Sequence, residues 1–77
     1  RAELRFAVPG ASPVAIDVYD VSGRLVRSLV HGLMPAGVHS VAWDRTNASG
    51  RRVGSGVYFV RMTAPGFSRV RTVTLVE

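Results

Sequence analysis

The side chains that could do chemistry are His31 and His39, three aspartates, a few serines, one tryptophan and ten arginines. A metal centre needs ligands that converge. His31 and His39 fall on different elements, with no acid at ligand spacing near either, so no metal ligands are assigned. Asp17, Asp20 and Asp44 offer the oxygen ligands that calcium prefers. Asp20 is explained by a turn and Asp17 by a solvated strand face. A serine nucleophile needs a base that is itself oriented by a third group. Ser22, Ser49 and Ser55 sit in glycine turns with no elbow motif around them. The chain has no Cys and no Lys, which removes disulfides, thiolate chemistry and a Walker-type phosphate loop. The glycine-rich run 50–56 leads into a strand, so it lacks the helix N-terminus that cradles phosphate. No catalytic or cofactor-binding residue is assigned, no cofactor is implied, and the chain is not expected to be an enzyme.

Binding is the remaining class of activity. Trp43 lies in phase with Val41 on an apolar strand face, which reads as core packing; exposed, it would be a platform for sugars. The basic residues are all Arg. Arg51 with Arg52, and Arg69 with Arg71, are the clusters. Aromatics do not interleave with them as nucleic-acid stacking requires, so nucleic acid is disfavoured. Charge on strands discourages stray pairing and keeps the chain soluble. An anionic surface polysaccharide is the charged partner that +5 would suit. Asn47-Ala48-Ser49 is a formal glycosylation sequon on a loop, a motif that also arises by chance.

These residues must be held by strands. Period 2 dominates the chain, and the helical period never persists. Fourteen residues are Val, which favours strands, and eight are Gly, which mark turns. Leu4, Phe6 and Val8 alternate with Arg5 and Ala7. The run 9–13, with two prolines, breaks that strand. Val14, Ile16 and Val18 alternate with Ala15, Asp17 and Tyr19. In 20–24 the Asp20 side chain can accept backbone N–H groups, and Gly23 can take the left-handed φ that closes a bulged hairpin. The return strand is predicted over 25–30, a loop over 31–37 and a strand over 38–43. A long polar loop is predicted over 44–55, with a short extended piece at 51–53. Strands over 56–64 and 67–76, joined by Pro65-Gly66, complete the count. No internal repeat is evident.

Six or seven short antiparallel strands with turn signals between them make a β-sandwich, all-β, in one domain over 1–77. At 77 residues the core is small, and stability should be about 4–11 kcal/mol. The expected core is Phe6, Ile16, Val18, Val41, Trp43, Tyr58, Val60 and Met62. The hydroxyls of Tyr19 and Tyr58 are expected in water. Val57 and Phe59 share the face opposite Tyr58 and form an apolar patch if that face is open. Apolar runs are far too short to span a bilayer. The start at Arg1, without Met or an apolar leader, suggests an excised or processed module.

Three blocks carry a resemblance: IDVYDVSGRLVRSL at 16–29, AGVHSVAWD at 36–44 and GRRVGSGVYFVRMTA at 50–64. They resemble, in order, the FlgD Ig-like domain family, named after the flagellar hook-capping protein. They are similar also to C-terminal sorting modules of type IX secretion. The resemblance implies an Ig-like, fibronectin-III-like sandwich at the C-terminus of a secreted or cell-surface bacterial protein. It implies no catalytic site. Asp44-Arg45-Thr46 stands where the family often has a short Asp-Gly sequence, and the Asn-Pro that often opens the first strand is absent. An antibody-type domain is excluded because its paired cysteines are missing.

The expected function is that of a non-catalytic interaction module serving attachment, sorting or assembly. Its partners would be proteins: a copy of itself, its parent chain or a secretion machinery. Contact would run through a strand edge and one open sheet face. The candidate interface is Val57, Phe59, Val70, Thr72, Thr74 and Val76, because a terminal Val- and Thr-rich strand without Pro is easily paired. Alternatives are a homopolymeric extracellular filament and a carbohydrate-binding accessory module. The expected location is extracellular or the cell surface.

Overall fold

The computed structural model describes residues 2–76; Arg1 and Glu77 lie outside the described residues, and with them the reading made from the start at Arg1. Six strands follow one another: β1 (Ala2–Val8), β2 (Ser12–Tyr19), β3 (Leu25–Met34), β4 (Gly37–Trp43), β5 (Gly56–Ala64) and β6 (Phe67–Leu75). They form two antiparallel sheets, a two-stranded sheet β1–β4 and a four-stranded sheet in the order β3-β2-β5-β6. This is the β-sandwich that the spacing of strands and turns predicts, with the Ig-like architecture that the resemblance implies.

Alternation sets which residues meet between the sheets. From the two-stranded sheet come Val8 and Trp43, both buried, with Leu4, Phe6 and Val41 half-buried beside them. From the four-stranded sheet come Val14, Ile16, Val18, Tyr58, Val60 and Leu75. Trp43 and Val18 are fully enclosed, each at 0% exposure, so Trp43 is core and not a stacking platform. Its ring meets that of Tyr58 edge-on, with centroids 5.3 Å apart, an arrangement that aromatic quadrupoles favour. Its indole N–H donates to the Thr46 carbonyl at 2.8 Å.

Several expectations are corrected. Phe6, Val41 and Met62 line the core but are only half-buried. The two-stranded sheet is too narrow to cover the wider one. Val8, Val14 and Leu75 belong to the core and were not among the expected residues. β3 continues to Met34 through the segment predicted as a loop. Gly32, at φ 151°, and His31 there keep pairing with Val14 and Ala15. Ser12 and Pro13 likewise belong to β2 rather than to the preceding break. The Tyr58 hydroxyl is not left to water: it donates to the Gly54 carbonyl at 2.8 Å.

The loop between β4 and β5 is ordered by hydrogen bonds. Arg27 on β3 donates to the Thr46 hydroxyl and to the Asn47 carbonyl. Ala48 N–H donates to the Val26 carbonyl at 3.1 Å. A single bridge, Thr46 to Arg52, is the extended piece of this loop.

Candidate functional site

The outer face of the four-stranded sheet gathers most of the expected interface. Register sets Val57 opposite Thr74, Phe59 opposite Thr72 and Arg61 opposite Val70. These side chains share a phase, away from Tyr58 and Val60, so they form one continuous face. Val57 and Val70 are exposed and Phe59 is half-buried. Val76 lies just past the end of β6 and is 74% exposed. Tyr19 extends the face across β2, opposite Phe59. Arg61 lies over the Tyr19 ring, 4.8 Å from its centroid, and donates to its hydroxyl at 2.7 Å. The bond is exposed, so the Tyr19 hydroxyl stays at the surface as expected while it accepts from Arg61. Beside this face, among the described residues, β6 pairs with β5 alone, so its other edge is a row of unpaired backbone groups.

Asp17 is on the same outer face but is not solvated as expected; it is only 9% exposed. Its carboxylate accepts from the Ser28 hydroxyl at 2.7 Å and lies 3.1 Å from His31 Nε2. An acid does stand beside His31, contrary to the sequence reading. The bulges in the β2–β3 ladder, between Ile16 and Asp17 and between Val18 and Tyr19, shift the register that places them. Ser28 and His31 both address the acid and not each other, so this is no nucleophile–base relay. A buried acid must be hydrogen-bonded, and these two donors do that structural work. Among the described residues, no group of three or more His, Cys, Asp or Glu is placed to hold a metal ion.

The remaining polar candidates serve turns. Asp20 Oδ1 accepts from the Ser22 hydroxyl at 2.6 Å, Ser22 N at 2.9 Å and Arg24 N at 3.0 Å. Gly23 has φ 85°, and Gly23 N donates to the Asp20 carbonyl. The Ser22 hydroxyl, then the Arg24 N–H, hold the Asp20 carboxyl below the usual 3.8. Asp44 is lowered chiefly by the Thr46 hydroxyl. Asn47, the sequon residue, spends its side-chain oxygen on Ser49 N and Arg51 N. His39 hydrogen-bonds the Pro35 carbonyl at 2.7 Å and stacks near Phe6.

Sequence reasoning missed the position of Arg69 and Arg71. Both lie on the phase of β6 that faces between the sheets, opposite Met62 and Val60. The apolar phase of Tyr58, Val60 and Met62, carried across one antiparallel register, was the signal that could have found them.

An open outer face, an unpaired strand edge and turn-bound polar groups characterise this Ig-like module. The FlgD Ig-like domain family matches residues 1–66, and this chain belongs to that family. Two curated relatives, the basal-body rod modification proteins FlgD of Salmonella typhimurium and Salmonella typhi, are each 39% identical over 54 residues. That match covers 70% of this chain and 23% of each relative, so the chain spans under a quarter of their length. A solved structure of FlgD from P. aeruginosa is similar in fold, with a TM-score of 0.72 and 27% identity. The likeness covers 91% of this chain and 57% of that one.

Proposed function

We propose that this domain is a non-catalytic protein-interaction module of a secreted or cell-surface bacterial protein, working in attachment, sorting or assembly. The observation that carries this is the joined outer face of β5 and β6, with Val57 and Val70 exposed and Phe59 half-buried between them, beside an unpaired strand edge. Exposed apolar surface of this kind marks contact sites, and an open edge adds main-chain hydrogen bonds to them. That the relatives are basal-body rod modification proteins supports a role in assembly. Placement outside the cell rests on the resemblance to C-terminal sorting modules read from the sequence at 16–29, 36–44 and 50–64.

A second reading, self-assembly into a filament through β6, is favoured by the same open edge. The +5 charge opposes it at low salt. The sugar-binding reading loses its support, because Trp43 is enclosed.

The test is site-specific photocrosslinking in the producing bacterium. A benzophenone residue at Val70 should give a discrete adduct with a second polypeptide. The same group at Ala48, in the β4–β5 loop, should not. Val57→Glu should abolish the adduct while the melting temperature stays within a few degrees, since Val57 is exposed. Equal labelling from both positions, or none from Val70, overturns the reading.

A further inference from the structure

A groove runs between β1 and β6, at the side where the narrow sheet leaves the wide one uncovered. Its volume is about 340 Å³. β1 contributes four consecutive residues, Leu4, Arg5, Phe6 and Ala7, whereas β6 contributes only alternate ones, Phe67, Arg69 and Arg71. Consecutive residues on a strand point to opposite faces. A strand that lines a groove with all of them therefore turns its backbone edge toward it. A strand that lines it with every second residue turns its face. The groove thus has along one side the edge of β1 that is unpaired among the described residues, and a side-chain floor from β6, completed by Ile16 of β2 and by Val60 and Met62 of β5.

That floor is chemically particular. Phe67 is apolar and 42% exposed. Arg69 lies over its ring, 5.5 Å from the centroid. Arg69 and Arg71 are exposed, and neither has a carboxylate within ion-pair distance among the described residues. They stand two positions apart on one face, about 6.8 Å of strand. An incoming strand has the same period, so two acids two residues apart would fall opposite the two arginines in register. Arg is suited to this because its fork donates two parallel hydrogen bonds to a carboxylate.

We propose that an extended acidic segment of a different polypeptide adds to the free edge of β1 and lays two acids, two residues apart, over Arg69 and Arg71. The apolar residues that continue the same phase cover Phe67 and the sides of Leu4 and Phe6. A second copy of this chain fits poorly. It brings ten arginines against five acids, and no two of those acids lie two residues apart. The inference rests on the domain being an interaction module, and it names a different edge and the chemistry of one partner.

The probe is a seven-residue peptide, the length of β1, with the pattern Glu-Thr-Glu-Thr-Val-Thr-Val and blocked ends. Titrated into the labelled domain, it should shift backbone amides of β1 and of Phe67, Arg69 and Arg71. A peptide with Lys in place of Glu should bind about tenfold more weakly. N-methylation along one edge of the acidic peptide should abolish binding, since strand pairing needs those donors. The double variant Arg69→Glu, Arg71→Glu should reverse the preference for charge; both side chains are exposed, so the fold should survive.

No binding up to about 1 mM, or binding indifferent to the sign of charge, overturns the proposal. Shifts confined to the outer face at Val57, Phe59 and Thr72 overturn it too, and would leave the interaction-module reading standing. A dimer through β1 that the acidic peptide does not dissolve would give the groove to a second copy and also overturn it.

Discussion

Gly23 and Gly50 hold the same φ, 85°, at the fourth position of two five-residue turns, Asp20-Val21-Ser22-Gly23-Arg24 and Asn47-Ala48-Ser49-Gly50-Arg51. In both, the first side chain accepts from the N–H groups two and four residues on. In both, the glycine N–H donates to the first carbonyl, Gly23 to Asp20 and Gly50 to Asn47. One piece of turn chemistry is used twice, once to close the β2–β3 hairpin and once to fold the β4–β5 loop. A Cβ at either glycine would meet no heavy atom within 4 Å, so the cost of replacing it is backbone strain alone. Gly23→Val and Gly50→Val should each destabilise by about 1–3 kcal/mol. Chemical denaturation of each variant checks this, and an unchanged midpoint for either would break the equivalence.

Arg45 carries the opposite feature, a non-glycine residue at φ 66°. The family often has glycine just after the Asp that follows the tryptophan. An L-residue in this region costs about 1–2 kcal/mol, while glycine loses about 0.5–1 kcal/mol to chain entropy. Arg45→Gly should therefore raise stability by up to about 1 kcal/mol. Arg45→Val should lower it, because a β-branched side chain is strained there. Thermal melts of the two variants should move in opposite directions.

Trp43 ties the sandwich to its long loop. Trp43→Ala should cost roughly 3–5 kcal/mol through the cavity it leaves, most of the stability expected for so short a chain. Trp43→Phe keeps an apolar ring but removes the donor to Thr46. Leaving that carbonyl unpaired should cost about 1–3 kcal/mol. If the two variants melt together, the loss is due to the hydrogen bond rather than to the packing.

Acid should weaken the two carboxylate-closed turns. Asp20 and Asp44 are held below 3.8 in the folded chain, so they bind protons less readily there than when unfolded. Their contribution to stability is complete above the unfolded value near 3.8. It is lost as pH falls below that, through the lowered folded values. Melting temperatures should decline on acidification below about pH 4. Asp20→Asn should be less stable than the parent at neutral pH and less sensitive to that acid range. An equal acid response in Asp20→Asn would clear the turn of that role.

The fold was legible because alternation, prolines and glycine turns punctuate the chain at every strand. The extra turn of pairing in β3 was not, because Gly32 and the histidine before it look like loop residues until Val14 and Ala15 are laid opposite them. Asp17 read as solvated for a similar reason: Ser28 and His31 reach it only through a bulged cross-strand register. Arg69 and Arg71 were legible as a pair on one face, but which face depends on pairing with Val60 and Met62. Leu75 was missed because the last strand was read for the pairing phase of Val70, Thr72, Thr74 and Val76, and Leu75 lies on the opposite phase, which packs on the core. Deleting 72–77 would therefore remove core along with edge, and cannot by itself test pairing through β6.

Salt separates the partners that the surface could take. Pairing along β6 relies on backbone hydrogen bonds, which salt hardly screens. Charge repulsion between like copies works against it, with ten arginines facing five acids in each chain. Screening shortens from about 30 Å at 0.01 M salt to about 8 Å at 0.15 M. Self-association through β6 should thus strengthen over that range. Binding to an anionic polysaccharide should weaken over it, because screening removes the attraction that drives it. Light scattering of the domain alone and with heparin gives both curves. The variant Val70→Glu, Thr72→Glu puts two acids on the exposed outer face of β6 and leaves Val73 and Leu75 in place. It lowers the net charge from +5 by two, so repulsion alone would make it associate more readily at low salt. If β6 is the contact, the new acids should instead disrupt the apolar surface beside it and reduce assembly at every salt. Stronger association of that variant at 0.01 M would show that net charge, and not the β6 surface, governs how copies meet.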